Sequence, residues 1–205
     1  MHPSLECSHQ PRYHRYVAKA GRIPLRFDSE KVTEAAALLL NLRGGKMHYI
    51  KLLKLLYLAD REALQEWGIP VSHDNYVSMD HGPVLSQTYN LIRDGASEFW
   101  SKHISPPVGD WEIELKGPPP ARRKLSQAED ALLRRIYEVH GHSNRWRLID
   151  YVHTFPEWRD PKGGSIPITI EEILRALGEP EANVFAIVSE LNQERTIEDR
   201  LEALA

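Results

Sequence analysis

MHYIKLLKLLYLADREALQEWGIPVSHDNYVSMDHGPVLSQTYNLIRDG, residues 47–95, decides the reading of this chain. Its first half predicts a helix from Tyr49 to Trp67, closed by Gly68 with Pro70 beyond it. Glycine accepts the left-handed conformation that ends helices, and proline cannot continue one. On a helical wheel Lys51, Lys54, Arg61, Glu62, Gln65 and Glu66 share a polar arc, and apolar residues fill the remainder. An apolar face that wide belongs to a central helix, touched from several sides. Asp60 falls inside the apolar arc, where an unpaired carboxylate is costly, so it needs a partner or a raised pKa. The structural reading has Asp60 accept from N–H groups at the start of the next helix, or from a buried Tyr or Arg. The chemical reading makes it an acid or base working with His81. Leu58 lies in the polar arc among Lys54, Arg61 and Gln65. It is either an ordinary exposed leucine or part of a partner-binding stripe.

Beyond the helix, Val71 to Met79 alternates around Asp74-Asn75 as a short hairpin would. Gly82-Pro83 is expected to start a third helix, because proline at the first helical position loses no available bond. That helix puts Val84, Leu85, Thr88, Tyr89, Leu91 and Ile92 on one side, with Asp80 as its local cap. A phosphate site at this corner is disfavoured, because proline removes one donor and the loop is not glycine-rich.

Working outward, a first helix begins at Asp28 or Ser29 and stops at Gly44-Gly45. Trp111, Ile113 and Leu115 alternate with charges as a strand, and Pro118–Pro120 with Arg122–Lys124 forms an exposed linker. Capping boxes at Ser126/Glu129 and Thr169/Glu172 open two helices, one reaching His140 and one closed by Gly178. Another helix covers Asn144 to Thr154, and the chain is helical again from Glu181. The fold class is mainly α: a compact helical domain over 28–178 with a small β-hairpin or strand element. A loose basic arm precedes it over 1–27, and an acidic C-terminal helix follows over 179–205.

The 205 residues carry a formal charge of −3 and are 41% hydrophobic, enough for one sizeable core. The charge is uneven. Residues 1–26 hold five bases against Glu6, a net +4, whereas 161–205 hold four bases and nine acids, a net −5. The overall charge argues against generic polyanion binding, although the arm, Arg122–Lys124, and Arg134-Arg135 near Arg145-Trp146-Arg147 leave a nucleic-acid contact open. A lone Cys7 excludes an internal disulfide. With no signal-like or membrane-length apolar run, the expected location is cytoplasmic. No Walker loop, nucleophile elbow or zinc spacing is present, so no catalytic residue, cofactor or metal ligand is assigned.

The order of residues across the opening stretch resembles the Panacea domain, the SocA-like antitoxin family. Lys51, Leu52, Lys54, Leu55, Leu56, Tyr57, Leu58, Ala59 and Asp60 match its helix signature. Tyr76, Gly82, Pro83, Val84, Ser86 and Tyr89 match the corner that follows, and Thr154–Trp158, Gly164 and Ile168–Ile173 match a later segment. The likeness spans Asp28–Gly178, with His81 standing where an aromatic residue is more usual. It implies a non-enzymatic protein that binds and neutralises a cognate protein toxin, one encoded beside it, with homo-oligomerisation left open. It casts Lys51, Lys54, Tyr57, Asp60, Tyr76, Gly82, Pro83, Ser86 and Tyr89 as scaffold. The candidate partner contacts are Lys54, Leu58, Arg61, Trp100, Trp111, Trp158, Ile197 and Leu201, since Trp and Arg most often anchor interfaces. The alternative is a DNA-binding regulator using the basic arm and helices; an enzyme centred on Asp60 and His81 is a third.

Overall fold

The structure, a computed structural model, describes residues 26–203. The expectation of a loose arm over 1–27 falls outside these residues except at Arg26 and Phe27. Arg26 pairs with Asp199, and Phe27 packs partly buried against the core. Eight helices and five short strands run in the order α1 (Ser29–Leu42), β1 (Lys46–His48), α2 (Tyr49–Trp67), β2 (Tyr76–Met79), β3 (Gly82–Leu85), α3 (Ser86–Asp94), α4 (Glu98–His103), β4 (Glu112–Glu114), α5 (Gln127–His140), α6 (Arg145–His153), β5 (Ile166–Ile168), α7 (Ile170–Ala176) and α8 (Glu181–Glu202) among the described residues. None of these helices is long and apolar enough to cross a membrane.

Local chemistry sets most helix ends. The Asp28 carboxylate accepts from the N–H groups of Glu30 and Lys31, satisfying donors that lack an intrahelical partner. Both capping boxes form, and Gly68 closes α2 at φ +72°. α1 carries Ala35, Ala36 and Ala37, whose small side chains let neighbouring helices approach, and it packs on α2, α4 and α5. α2 is the central element, contacting α1, α3, α5, α6, α7, β1 and β3. Every residue from Lys51 to Asp60 is buried.

Two expectations around the Gly-Pro corner are overturned. The hairpin does not fold about Asp74-Asn75. It is formed by β2 and β3 with Asp80-His81 as the turn, and Met79 faces Gly82 across it. Gly82-Pro83 therefore opens a strand, and α3 starts later, at Ser86. Proline is tolerated because β3 is the edge of the sheet β3-β2-β5, where a missing N–H breaks no ladder. Nor does Asp80 cap α3; it accepts from the N–H of Gly163. The cap comes from Asp74, whose carboxylate takes the N–H groups of Gln87 and Thr88 at 2.8 Å and the Thr88 hydroxyl at 2.7 Å.

The strand read around Ile113 is real, and its partner is β1: Met47 lies opposite Ile113, and both are buried. β5, not foreseen in the sequence, pairs with the other side of β2. The Arg122–Lys124 linker is exposed but tethered. The buried Glu34 carboxylate of α1 accepts from the N–H groups of Arg123, Lys124 and Leu125 at 2.9–3.1 Å. Glu34→Ala leaves three donors without their acceptor, and is expected to cost about 2–3 kcal/mol. Limited proteolysis should then cut near Arg122 and Arg123 faster than in the wild type; equal cutting rates would mean that the tether does not hold the linker.

Candidate partner-binding face

Four polar residues of α2 are spaced three apart: Lys51, Lys54, Tyr57 and Asp60. At 100° per residue each step of three turns back by about 60°, so the four sweep around the helix instead of sharing a side. Each secures a different segment. The Lys51 ammonium donates to the carbonyl of Gly141 in the α5–α6 turn, and Lys54 donates to the carbonyl of Pro83 at 2.7 Å in the hairpin. The Tyr57 hydroxyl (2.9 Å) and Arg61 Nε (2.8 Å) both donate to Glu157 Oε1, beyond α6. Asp60 accepts from the N–H and hydroxyl of Ser72 and from the Tyr76 hydroxyl at 2.9 Å. Asp60 thus binds the segment before the hairpin and the Tyr76 ring, while Asp74 serves the α3 N–H groups it was expected to reach.

Burial shifts these groups away from charge. Desolvation lowers Lys54 to about 7, and lowers Lys51 to about 8 with Arg43 adding repulsion. It raises Asp60 to about 6 against the hydrogen bonds of Ser72 and Tyr76, and raises the Tyr57 and Tyr76 hydroxyls. This polar spine fixes loops around α2.

What the spine positions is a surface at the N-terminal end of α2. Trp111 is 64% exposed and Trp146, in the first turn of α6, is 55% exposed. The Trp111 ring lies 6.2 Å from that of Tyr49, which stacks on His48 at 5.2 Å. The Arg145 guanidinium sits 4.9 Å from the centre of the Trp146 ring, and His81 meets the same ring edge-on at 6.3 Å. Beside Trp146 opens a cleft of about 600 Å³, lined among others by His48, Glu112, Arg145 and Trp146. Trp111, next to Glu112 in the chain, stands outside that lining.

The residues expected at a partner surface are scattered. Lys54, Leu58 and Trp100 are buried, at 1%, 5% and 1% exposure. The wheel places Leu58 among solvated bases, but Lys54 points inward and neighbours cover this part of α2. Trp100 is core because α4 packs on α1. Arg61 is half-buried between Glu157 and the Phe155 ring. Trp158 is half-buried, stacked on His153 at 3.9 Å with its indole N–H donating to Met79. Trp111 is on the surface as expected, and Ile197 and Leu201 are exposed on α8. Asp60 and His81 are not brought together: the first is enclosed by Ser72 and Tyr76, and the second is exposed in the turn. Trp146 and Arg145 are surface residues that were not among the candidate partner contacts read from the sequence. Their signal was the Arg145-Trp146-Arg147 triplet directly after the Asn144 cap.

The model of one family, antitoxin SocA-like, Panacea domain, matches residues 52–159. The chain belongs to this family. No curated protein and no solved structure matches it. The matched span is narrower than the Asp28–Gly178 likeness, yet it contains Lys54, Tyr57, Asp60, the hairpin, Glu157 and both exposed tryptophans. Within this Panacea domain most motif residues are interior, with Ser86 and Tyr89 half-buried, so most of its surface chemistry belongs to residues outside the motif. α8, with Ile197 and Leu201, lies beyond the matched span.

Proposed function

We propose that this protein is an antitoxin that binds a cognate protein toxin, encoded beside it, through the face carrying Trp111, Trp146 and Arg145, and neutralises it by that stoichiometric contact. The observation behind this reading is that two tryptophans within the family span, Trp111 and Trp146, stand exposed near the start of α2, with half-buried Arg145 stacked on the second beside a cleft. Interfaces draw their strongest contacts from these residue types, and no packing requirement keeps such large apolar rings in water. Ile197 and Leu201 on α8 are a second candidate contact, separate from this face.

The test is co-expression with the product of the neighbouring open reading frame. Growth arrest by the neighbour is expected to be relieved by the wild type, with co-purification of the pair. Trp146→Ala is expected to keep its thermal midpoint, because the ring is exposed, but to weaken binding roughly 30-fold or more and lose protection. A harmless neighbour, or full protection by Trp111→Ala and Trp146→Ala, would count against the reading.

A further inference from the structure

The cleft beside Trp146 is strongly one-signed. Arg43, Lys46, Lys51 and Arg145 line it against a single carboxylate, Glu112, a net charge of +3 before His48 and His142 are considered. The one carboxylate is loosely held: Lys46 and Glu112 meet at 3.1 Å with side chains 61% and 42% exposed. A solvated pair of this kind contributes little and opens readily to a competing anion. Two helix starts also reach the cleft, through His48, the N-cap of α2, and Asn144, the N-cap of α6. Helix N-termini carry positive partial charge, which adds to that of the side chains. Stacking over Trp146 holds the Arg145 guanidinium in a defined plane, which favours two-point recognition of a carboxylate.

We propose that this cleft receives the carboxylate side chains of an acidic protein segment, with the Trp146 ring in its wall as an apolar platform. The proposal rests on the antitoxin reading and specifies its chemistry: the segment belongs to the toxin. A nucleic acid fits less well. Non-specific strand binding needs a basic track along which successive phosphates lie. Here the bases converge on one cleft, and a strand leaving it along β4 would meet Asp110, Glu112 and Glu114. Discrete carboxylates with apolar neighbours match a basic floor with one indole ring in its wall.

The probe is a hexaglutamate peptide, titrated into the full chain at low salt and followed by tryptophan fluorescence and calorimetry. Hexaglutamine, inorganic phosphate and a ten-nucleotide oligothymidylate serve as comparisons. Hexaglutamate is expected to bind and hexaglutamine not to bind. Affinity should fall about tenfold or more in Lys46→Glu/Arg145→Glu, and fall again at high salt. Lys46 is exposed, Arg145 is only half-buried, and an acid in the first turn of α6 suits the helix end, so the variant should fold; its thermal midpoint checks this. Absence of hexaglutamate binding, equal binding by the double variant, or tighter binding of oligothymidylate or phosphate would each overturn the proposal. If hexaglutamate fails while Trp146→Ala still abolishes growth protection, the acidic chemistry falls and the antitoxin reading stands. If the neighbour proves harmless while hexaglutamate binds as expected, the reverse holds.

Discussion

Asp60→Ala should lose about 3 kcal/mol of stability at neutral pH, measured by urea unfolding, and should weaken partner binding with it. The carboxylate is enclosed and accepts three hydrogen bonds, from the Ser72 N–H, the Ser72 hydroxyl and the Tyr76 hydroxyl. Alanine leaves all three donors buried without that acceptor, and each such donor costs about 1–3 kcal/mol. The total stays below the sum because the variant no longer buries a charge. Tyr76→Phe removes one donor and keeps the acceptor, so it should cost only about 1–2 kcal/mol. The damage should also spread. Ser72 Oγ in turn accepts from the Asp74 N–H, and Asp74 caps α3, so losing Asp60 loosens a chain of contacts from α2 to α3.

The pH dependence supplies an independent check. Burial lifts Asp60 to about 6 from its ordinary 3.8, so the folded protein takes up this proton more readily than the unfolded chain. Its contribution is therefore largest below pH 4 and falls as pH rises through 6, by about 3 kcal/mol for a shift of this size. The stability gap between wild type and Asp60→Ala should accordingly be wider at pH 4 than at pH 7. Asp74, also raised by burial, titrates in both proteins and largely cancels from the difference. A variant as stable as the wild type at both pH values would remove Asp60 from the scaffold and reopen a chemical role for it.

Helix ends were the legible part of this fold because they are set by neighbouring residues. Asp28, Gly68, and the Ser126/Glu129 and Thr169/Glu172 boxes act over one turn of chain, and the structure uses each as read. The hairpin was misread because its signals are ambiguous at short range. Asp74-Asn75 suits a turn, yet the Asp74 side chain is engaged by a helix start 13 residues on. Gly-Pro suits a helix start, yet equally suits an edge strand. Lys51 and Lys54 counted as solvated on the wheel, but their acceptors are carbonyls 90 and 29 residues away, which no local pattern reveals. The proposed partner face was the least legible. Trp100 and Trp146 both sit in short helices, and only tertiary packing sends one into the core and the other to the surface. The polar spine could have been suspected from its spacing of three, since a solvated face repeats at three and four.

Gly82→Ala should be the second damaging change, at about 3 kcal/mol or more, from two separable causes. Gly82 lies at φ +94°, where a side chain is strained whatever the space, and a Cβ would come within 2.5 Å of Val152 Cγ2 on α6. It would also stand 3.3 Å from both His153 Cδ2 and Lys54 Nζ, so no side of the site is open. Gly45 isolates the first cause: its φ is +98° with nothing near the added Cβ, and Gly45→Ala should cost only the strain, about 1–2 kcal/mol. Val152→Ala isolates the second. By itself it should cost about 2 kcal/mol as a core truncation, but combined with Gly82→Ala it removes the clashing methyl. The double variant should then be at least about 1 kcal/mol more stable than additivity allows. Strict additivity would mean that hairpin and helix do not press on each other at this point. The contact also bears on the proposed binding face, because α6 carries Arg145 and Trp146 at its other end. A Gly82→Ala protein that remains folded is therefore expected to bind its partner more weakly through a displaced α6, with Val152→Ala recovering part of that loss.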